Sequence, residues 1–432
     1  MDYAIRVSHY LDPATFELSR DVILLLSGDR VAEVIVGGEV SGGLDGLAAR
    51  SMDFGDALCM PGFVNSHCHL DLSHLHRQVP SGLKFHEWAP AVIAGRMVPP
   101  PLIEQGIGDG VRMAVAGGTT SILDISVKGD CAPALARHGL RGVAALEVLG
   151  WSGASAERAM QGVDEIIRAR FELERDRLGN DAGTGADPVA QEGMSFGYSP
   201  HAPYSTSAEL YQHAMGRAFG EGRVCTTHAA ESPEEAEFIR AGTGPLRELL
   251  ARLGVDVAGF AGYGESPLTL LLRDWLAPWL HAANPQLVLV HCNYPEAGDW
   301  QWLEAAKPSV CWCPRSHAYF GHEPWPLARM LEAGVNLVLG TDSLGSNDGL
   351  DMLGEIAQAV KTVPDADLET LFKAATVNGR NALGIAPDAA DLCIWALPGA
   401  AGDTKQALEG LLRDRPPLLA SFSRGNLIAR SI

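Results

Sequence analysis

No run of apolar residues in this 432-residue chain approaches the roughly 20 needed to cross a bilayer, which excludes a membrane-spanning helix. Basic residues are scarce: 33 Lys and Arg stand against 53 Asp and Glu, a formal net charge of −20. That balance argues against nucleic acid and anionic membrane surfaces as partners. The N-terminus, Met1-Asp2-Tyr3-Ala4-Ile5-Arg6, lacks a basic segment followed by an apolar one, so no export is expected and a cytoplasmic location is. Cysteine is sparse, with eight scattered residues, and Cys225, Cys292 and Cys311 lie inside apolar runs. Reduced, buried thiols look like this, and a disulfide framework does not. What remains is an ordinary globular composition, 47% apolar and 20% charged, long enough for more than one compact unit.

The first sixty residues read as a small antiparallel sheet. Ile23–Leu26 and Arg30–Val36 are strand-like and are broken by turns at Gly37-Gly38 and Gly42-Gly43. The last fifty look similar, with Asp391–Trp395 and Gly425–Arg430 as strands. Between them, strand-length apolar runs alternate with helical stretches. The runs are the one ending at His67, then Thr119–Asp124, Arg141–Leu149, Met194–Tyr198, Val224–His228, Leu287–His291, Ser309–Cys313 and Val335–Gly340. Intervening helices include Ala132–His138, Ala156–Glu174, Glu209–Gly220, one from Pro233, and Pro326–Ala333. Asp176–Glu192, rich in Gly, Asp and Ala, reads as a surface loop. The fold class predicted is α/β: a (β/α)8 TIM barrel over 61–385, with a small composite β-sandwich domain from 1–60 and 386–432. Active sites of such barrels lie at the C-terminal ends of the strands.

At those ends, metal-type and proton-transfer side chains recur. In an extended strand, residues two apart face one side, so His67 and His69 present both imidazoles to one ion while Cys68 points away. Chance also produces His-x-His pairs, but this one follows the turn Pro61-Gly62-Phe63-Val64-Asn65 and is answered by His228 and Asp342. Three imidazoles and one carboxylate suit a single divalent ion, Zn2+, with Fe2+ or Mn2+ as alternatives. Glu231 reads either as a proton donor and acceptor over the substrate or as a cap for the helix that Ser232-Pro233-Glu234-Glu235 begins. Asp342 ends an apolar strand, where an ionised carboxylate is costly unless it meets a cation, so it is a candidate ligand and a candidate base. His201 and His291 each read singly as core histidines. At strand ends of one barrel they are expected to face the pocket, His291 near a hydrolytic water and His201 toward substrate. His74, His76, His138, His213 and His281 read as solvated or structural.

With these residues in place, the chain resembles the amidohydrolase superfamily, in the branch of S-adenosylhomocysteine/methylthioadenosine deaminases, aminofutalosine deaminases and triazine chlorohydrolases. The resemblance is carried by Pro61–Leu70, Gly117-Gly118-Thr119-Thr120 with Asp124, Ser199–Ser205, Thr227–Glu231 and Gly340–Ser343. It implies His67, His69, His228 and Asp342 as metal ligands and Glu231, His291 and Asp342 as the catalytic groups of a hydrolytic deamination. In that reaction Glu231 protonates a ring nitrogen while His291 and Asp342 steer the attacking water. No lysine stands at the fourth strand end, His201, so a binuclear centre bridged by a carboxylated lysine is disfavoured. His317 stands where many relatives have asparagine, and its segment, Cys313–Gly321 with Ser316, is expected to line the pocket. Glu87 and Trp88, on the loop after the first strand, are the counterparts of residues that hold base and ribose; simple packing is the other reading of Trp88. The substrate implied is an aminopurine nucleoside of the aminofutalosine, methylthioadenosine or S-adenosylhomocysteine type. Alternatives are triazine-type dechlorination, cytosine or guanine deamination, cyclic amide cleavage, or a catalytically silent barrel. Relatives also imply a homodimer.

Overall fold

The structure, a computed structural model, describes residues 1–37, 43–44, 46–151, 153–178, 193–280, 286–397 and 401–430. Gly38 and Gly42 of the expected turns, most of the expected loop before the fourth barrel strand, and His281 lie outside them.

Five strands open the chain: β1 (Tyr3–Leu11), β2 (Leu18–Ser27), β3 (Arg30–Val36), β4 (Arg50–Asp53) and β5 (Ala57–Pro61). Eight follow in the middle: β6 (Phe63–Cys68), β7 (Thr119–Ser126), β8 (Arg141–Val148), β9 (Met194–Pro200), β10 (Cys225–Ala229), β11 (Leu287–His291), β12 (Ser309–Trp312) and β13 (Asn336–Leu339). Three close it: β14 (Leu392–Ala396), β15 (Leu418–Ser423) and β16 (Asn426–Arg430).

The middle eight form one parallel sheet in sequence order, each strand pairing with the next. Thr341 and Asp342, just past β13, donate their N–H groups to the His67 carbonyl at 3.0 Å each, and Cys68 bridges Asp342 in parallel. These contacts join the last strand to the first and make the sheet a barrel. Its strands read as continuous apolar runs because both faces are covered. Leu123 and Ile125, Val143 and Ala145, Val288 and Val290, and Cys311 and Cys313 gather into one buried cluster at the two-residue period of a barrel interior. The intervening residues, such as Ile122, Ala144 and Leu289, pack into the larger core with the outer helices.

The two chain ends together make a second sheet, in the order β16-β15-β14-β5-β1-β2-β3 with β4 also on β1. The first sixty residues are not wholly antiparallel: β4 and β5 both pair with β1 in parallel, because the chain crosses back before it returns. The β15–β16 hairpin turns through Arg424 and Gly425 at φ +52° and +70°, the left-handed pair that a tight two-residue hairpin requires. The helix expected over Ala156–Glu174 runs from Gly153 to Leu178, so the first residues of the expected loop, Asp176 to Leu178, are helical.

Candidate active site

β6 ends on His67 and Cys68, and the next residue is His69. The alternation predicted for them holds: the two imidazoles meet edge to face with centroids 4.9 Å apart. β10 delivers His228, and His69 Nε2 lies 3.3 Å from His228 Nε2. Ligand atoms of His67, His69 and His228 all fall within 4.8 Å of one another, and all three residues are buried. His228 donates its Nδ1–H to the His201 carbonyl at 2.9 Å, which leaves Nε2 as a lone pair facing His69. Burial, helped by His67 and His201, draws the His228 pKa down to about 3. Burial and then His67 likewise hold His69 well below the usual imidazole range. With the His69 proton on Nε2 this contact is a hydrogen bond; with it on Nδ1, two lone pairs face each other and a cation between them satisfies both. Both ring nitrogens of His67, and His69 Nδ1, are buried without a hydrogen-bond partner. Orphaned imidazole nitrogens converging in this way are the donor set of a divalent metal site.

Asp342 stands beside them, Oδ1 at 3.6 Å from His67 Nε2 and 3.8 Å from His69 Nε2. Burial pushes its carboxyl up, but the imidazoles of His67, His291 and His69 hold it well below the usual carboxylate range. Ser316 and Ser346 donate hydroxyls to Oδ2 at 2.6 and 3.0 Å, and the Ser343 N–H donates to Oδ1 at 2.7 Å. The backbone turns sharply where the site is built: Ala230, His291 and Asp342 all have positive φ, at 49°, 73° and 58°. Such conformations cost on the order of 1–3 kcal/mol each and swing the following side chains off the strand direction.

Glu231 follows Ala230, and its Oε1 is 3.4 Å from His291 Nε2. Burial, with Asp342, Glu235 and Glu234 adding, raises its carboxyl well above the usual range. Burial also lowers the His291 imidazole well below its usual range. Burial thus favours the protonated form of the Glu231 carboxyl and the neutral form of the His291 imidazole, a proton donor and a proton acceptor side by side near the three-histidine cluster. The helix cap that Glu231 was weighed against belongs to Ser232, whose Oγ accepts the Glu235 N–H at 3.2 Å. Glu235 in turn accepts the Glu231 N–H at 2.8 Å, and burial raises its own carboxyl to about 7.

A cavity of about 340 Å3 opens from this cluster. His201 and Trp88 line it, with Trp88 Nε1–H donating to the Gly345 carbonyl at 2.9 Å. Three residues expected to touch substrate stand elsewhere. Glu87 is exposed and accepts the Lys84 N–H at 3.0 Å, capping the helix Phe85–Gly95. Ser316 is buried behind Asp342. His317 lies behind Glu231, its Nδ1 3.1 Å from Asn293 Oδ1, while Asn293 Nδ2 donates to the Glu231 carbonyl at 2.9 Å. Ser316 and His317 reach these places because Pro314–Phe320 is helical and turns them toward the protein, not the cavity. The wall also holds residues the sequence reading passed over, among them Glu147, Arg96 and the leucines of the helix Pro245–Arg252. Glu147 had the same signal as the others, a charged residue near the end of an apolar strand. The leucines had none, since a pocket wall and a core stripe have the same period.

The amidohydrolase family model matches residues 58–420, the whole barrel and part of the terminal sheet. The chain belongs to the amidohydrolase family. This amidohydrolase is a metal-dependent hydrolase acting on carbon–nitrogen bonds. It is 31% identical to an aminodeoxyfutalosine deaminase of Deinococcus radiodurans over 76% of this chain and 74% of that protein. Identity is 28% to a 5-methylthioadenosine/S-adenosylhomocysteine deaminase of Thermococcus onnurineus, over 80% and 74%. Among solved structures, Helicobacter pylori aminofutalosine deaminase has the same fold at a TM-score of 0.79 and 19% identity, covering 99% of this amidohydrolase and 100% of that chain. A zinc-complexed atrazine chlorohydrolase of Arthrobacter aurescens reaches 0.76 at 17% identity, covering 99% and 95%. No helix among the described residues is long and apolar enough to cross a membrane.

Proposed function

We propose that this amidohydrolase is a hydrolytic deaminase that releases ammonia from an aminopurine nucleoside, using one Zn2+ (Fe2+ or Mn2+ as alternatives) held by His67, His69, His228 and Asp342. The observation that carries it is Glu231, its Oε1 3.4 Å from His291 Nε2, at the mouth of a three-imidazole cluster. A bound divalent ion supplies a Lewis-acid centre that makes water acidic near neutral pH. Glu231 is poised to donate its proton to the ring nitrogen next to the amino-bearing carbon, which turns that carbon into a better electrophile. His291, neutral and buried, accepts a hydrogen bond from the attacking water. Asp342, kept anionic, takes a proton and passes it toward the departing ammonia. Its two serine donors keep the carboxylate from swinging away. Trp88 and His201 bound the space where a flat base lies, and the apolar wall excludes bulk water from it.

The substrate class is supported by the names of the two deaminase relatives and by a cavity large enough for a nucleoside. The test is ammonia release by metal-reconstituted protein across aminopurine nucleosides, cytosine, guanine and chlorotriazines. Ammonia from an aminopurine nucleoside is expected. Chloride from a triazine, or a ring-opened acid from a cyclic amide, with no ammonia from any nucleoside, overturns the reading.

A further inference from the structure

Glu231 can serve as the acid of the reaction above only while its carboxyl faces His291, and the peptide that aims it is gripped by buried side chains at both ends. Ala230, just before it, has a φ of +49°, a backbone conformation that persists in a residue other than glycine only where neighbours enforce it. Its carbonyl accepts the backbone N–H groups of Asn293 and Tyr294 at 2.9 and 3.1 Å. Glu235 accepts the Glu231 N–H at 2.8 Å, and Asn293 Nδ2 donates to the Glu231 carbonyl at 2.9 Å. The Glu235 bond belongs also to the helix cap made with Ser232. The Asn293 bond caps no helix. It reaches 62 positions along the chain, from the segment after β11, to this one carbonyl.

The orientation of that amide is fixed from behind. A carbonyl oxygen only accepts, so the NH2 of Asn293 faces Glu231 and its Oδ1 faces His317 Nδ1, 3.1 Å away. Oδ1 likewise only accepts, so a proton on His317 Nδ1 makes this contact a hydrogen bond and locks the amide. The His317 ring is itself held in place. Its Nε2 lies 2.8 Å from the Glu323 carbonyl, and it stands edge-on to Trp312 with centroids 6.2 Å apart. The same segment braces the partner of Glu231. Trp325, stacked on Trp312 at 4.9 Å, donates its Nε1–H to the carbonyl of His291, whose φ is +73°. Both members of the 3.4 Å Glu231–His291 pair are therefore held through their backbones, and neither Asn293 nor His317 lines the cavity.

We propose that Asn293, its amide oriented by His317, is a positioning residue for proton transfer: it fixes the Glu231 peptide so that the carboxyl stays against His291 and aimed at the reacting ring nitrogen, and it touches neither substrate nor metal. The proposal rests on the reading above in which Glu231 is the acid. A misplacement of about 1 Å at a reacting group costs about a hundredfold in rate, so this bond is felt in turnover more than in substrate binding.

The test measures kcat, KM and metal content of the metal-loaded enzyme, following ammonia release from its best substrate. Asn293→Leu keeps the side chain's size and removes the donor; kcat is expected to fall about ten- to a hundredfold, with KM and metal content little changed. The double variant separates positioning from a merely structural role. In Glu231→Gln, which has already lost the acid, Asn293→Leu is expected to lower the residual rate by less than about twofold. His317→Leu should reproduce the loss in kcat, and His317→Asn, whose Nδ2 stands where the ring has Nδ1–H, should recover most of it. The His317 pair leaves Asn293 in place and decides the matter where Asn293→Leu does not fold. Wild-type kcat in Asn293→Leu, or a loss that multiplies in full with that of Glu231→Gln, overturns the proposal while leaving Glu231 as the acid. A His317→Asn protein as slow as His317→Leu overturns the orienting role of His317. Wild-type turnover in Glu231→Gln removes the acid reading and the proposal with it.

Discussion

His69 Nε2 and His228 Nε2 face each other at 3.3 Å because each ring's other nitrogen is turned elsewhere, His228 Nδ1 toward the His201 carbonyl. Removing one member of the cluster leaves too few donors for tight binding. His67→Ala is expected to lower metal content by about two orders of magnitude in affinity, read by elemental analysis after dialysis against a chelator. Glu231 has a different signature. Glu231→Gln should keep its metal and lose about two to four orders of magnitude in turnover, the usual span for a removed general acid. Burial raises the Glu231 carboxyl, so the protonated form persists to higher pH than an ordinary glutamate allows. Turnover that depends on this acid is present below the raised pKa and lost as pH rises through it. That alkaline limb should disappear from the residual activity of Glu231→Gln. A limb that survives unchanged assigns the titration to another group.

Strand ends carried much of the information legible in the sequence. His67, His228, His291 and Asp342 stand out because a polar group at the end of a doubly covered apolar run has few harmless explanations, and the structure brings all four together. Ser316, His317 and Glu87 stand away from the cavity for the converse reason. Nearness in sequence to a strand end does not say which way a helix turns, and Pro314–Phe320 and Phe85–Gly95 direct them to Asp342, Asn293 and the Lys84 backbone. Gly340 shows how tightly two strands meet at the site. A Cβ there would lie 2.8 Å from Cys311 Sγ, 2.8 Å from His67 Cβ and 2.9 Å from His67 N. Gly340→Ala is expected to cost about 1–3 kcal/mol and to push His67 from its place. A lower melting temperature together with reduced metal occupancy would show both effects; an unchanged pair of values would show that β6 and β12 have room to part.

The sheet made by the chain ends shares an apolar core with the barrel and is tied to it further by a few buried polar groups. Arg380, almost fully buried, donates to the carbonyls of Pro387, Ala389 and Asp391. Asp391 also accepts from Arg141 Nε at 2.8 Å and from the Arg424 N–H at 2.6 Å. Arg380→Met would take the guanidinium donors from three carbonyls inside the protein, of which that of Asp391 keeps the Gly62 N–H at 2.9 Å. A loss of about 1–3 kcal/mol for each carbonyl left unmet is expected, read by calorimetry or denaturant midpoint. The two-ended origin of this sheet was readable from strand-like segments at both termini. The Arg380–Asp391 junction was not, since an arginine in a short helix has no mark of burial in sequence.

The barrel's seam coincides with its chemistry. Asn65 reaches Thr341, 276 positions away, and the amides of Thr341 and Asp342 bind the His67 carbonyl where the first and last strands meet. On the ligation proposed above, an ion held by His67 and Asp342 would be a rivet across the closing joint of the cylinder. Stripping it should loosen that joint before any other, so the Thr341 and Asp342 amides should exchange with deuterium sooner in chelated protein while amides of β7 and β8 keep their protection.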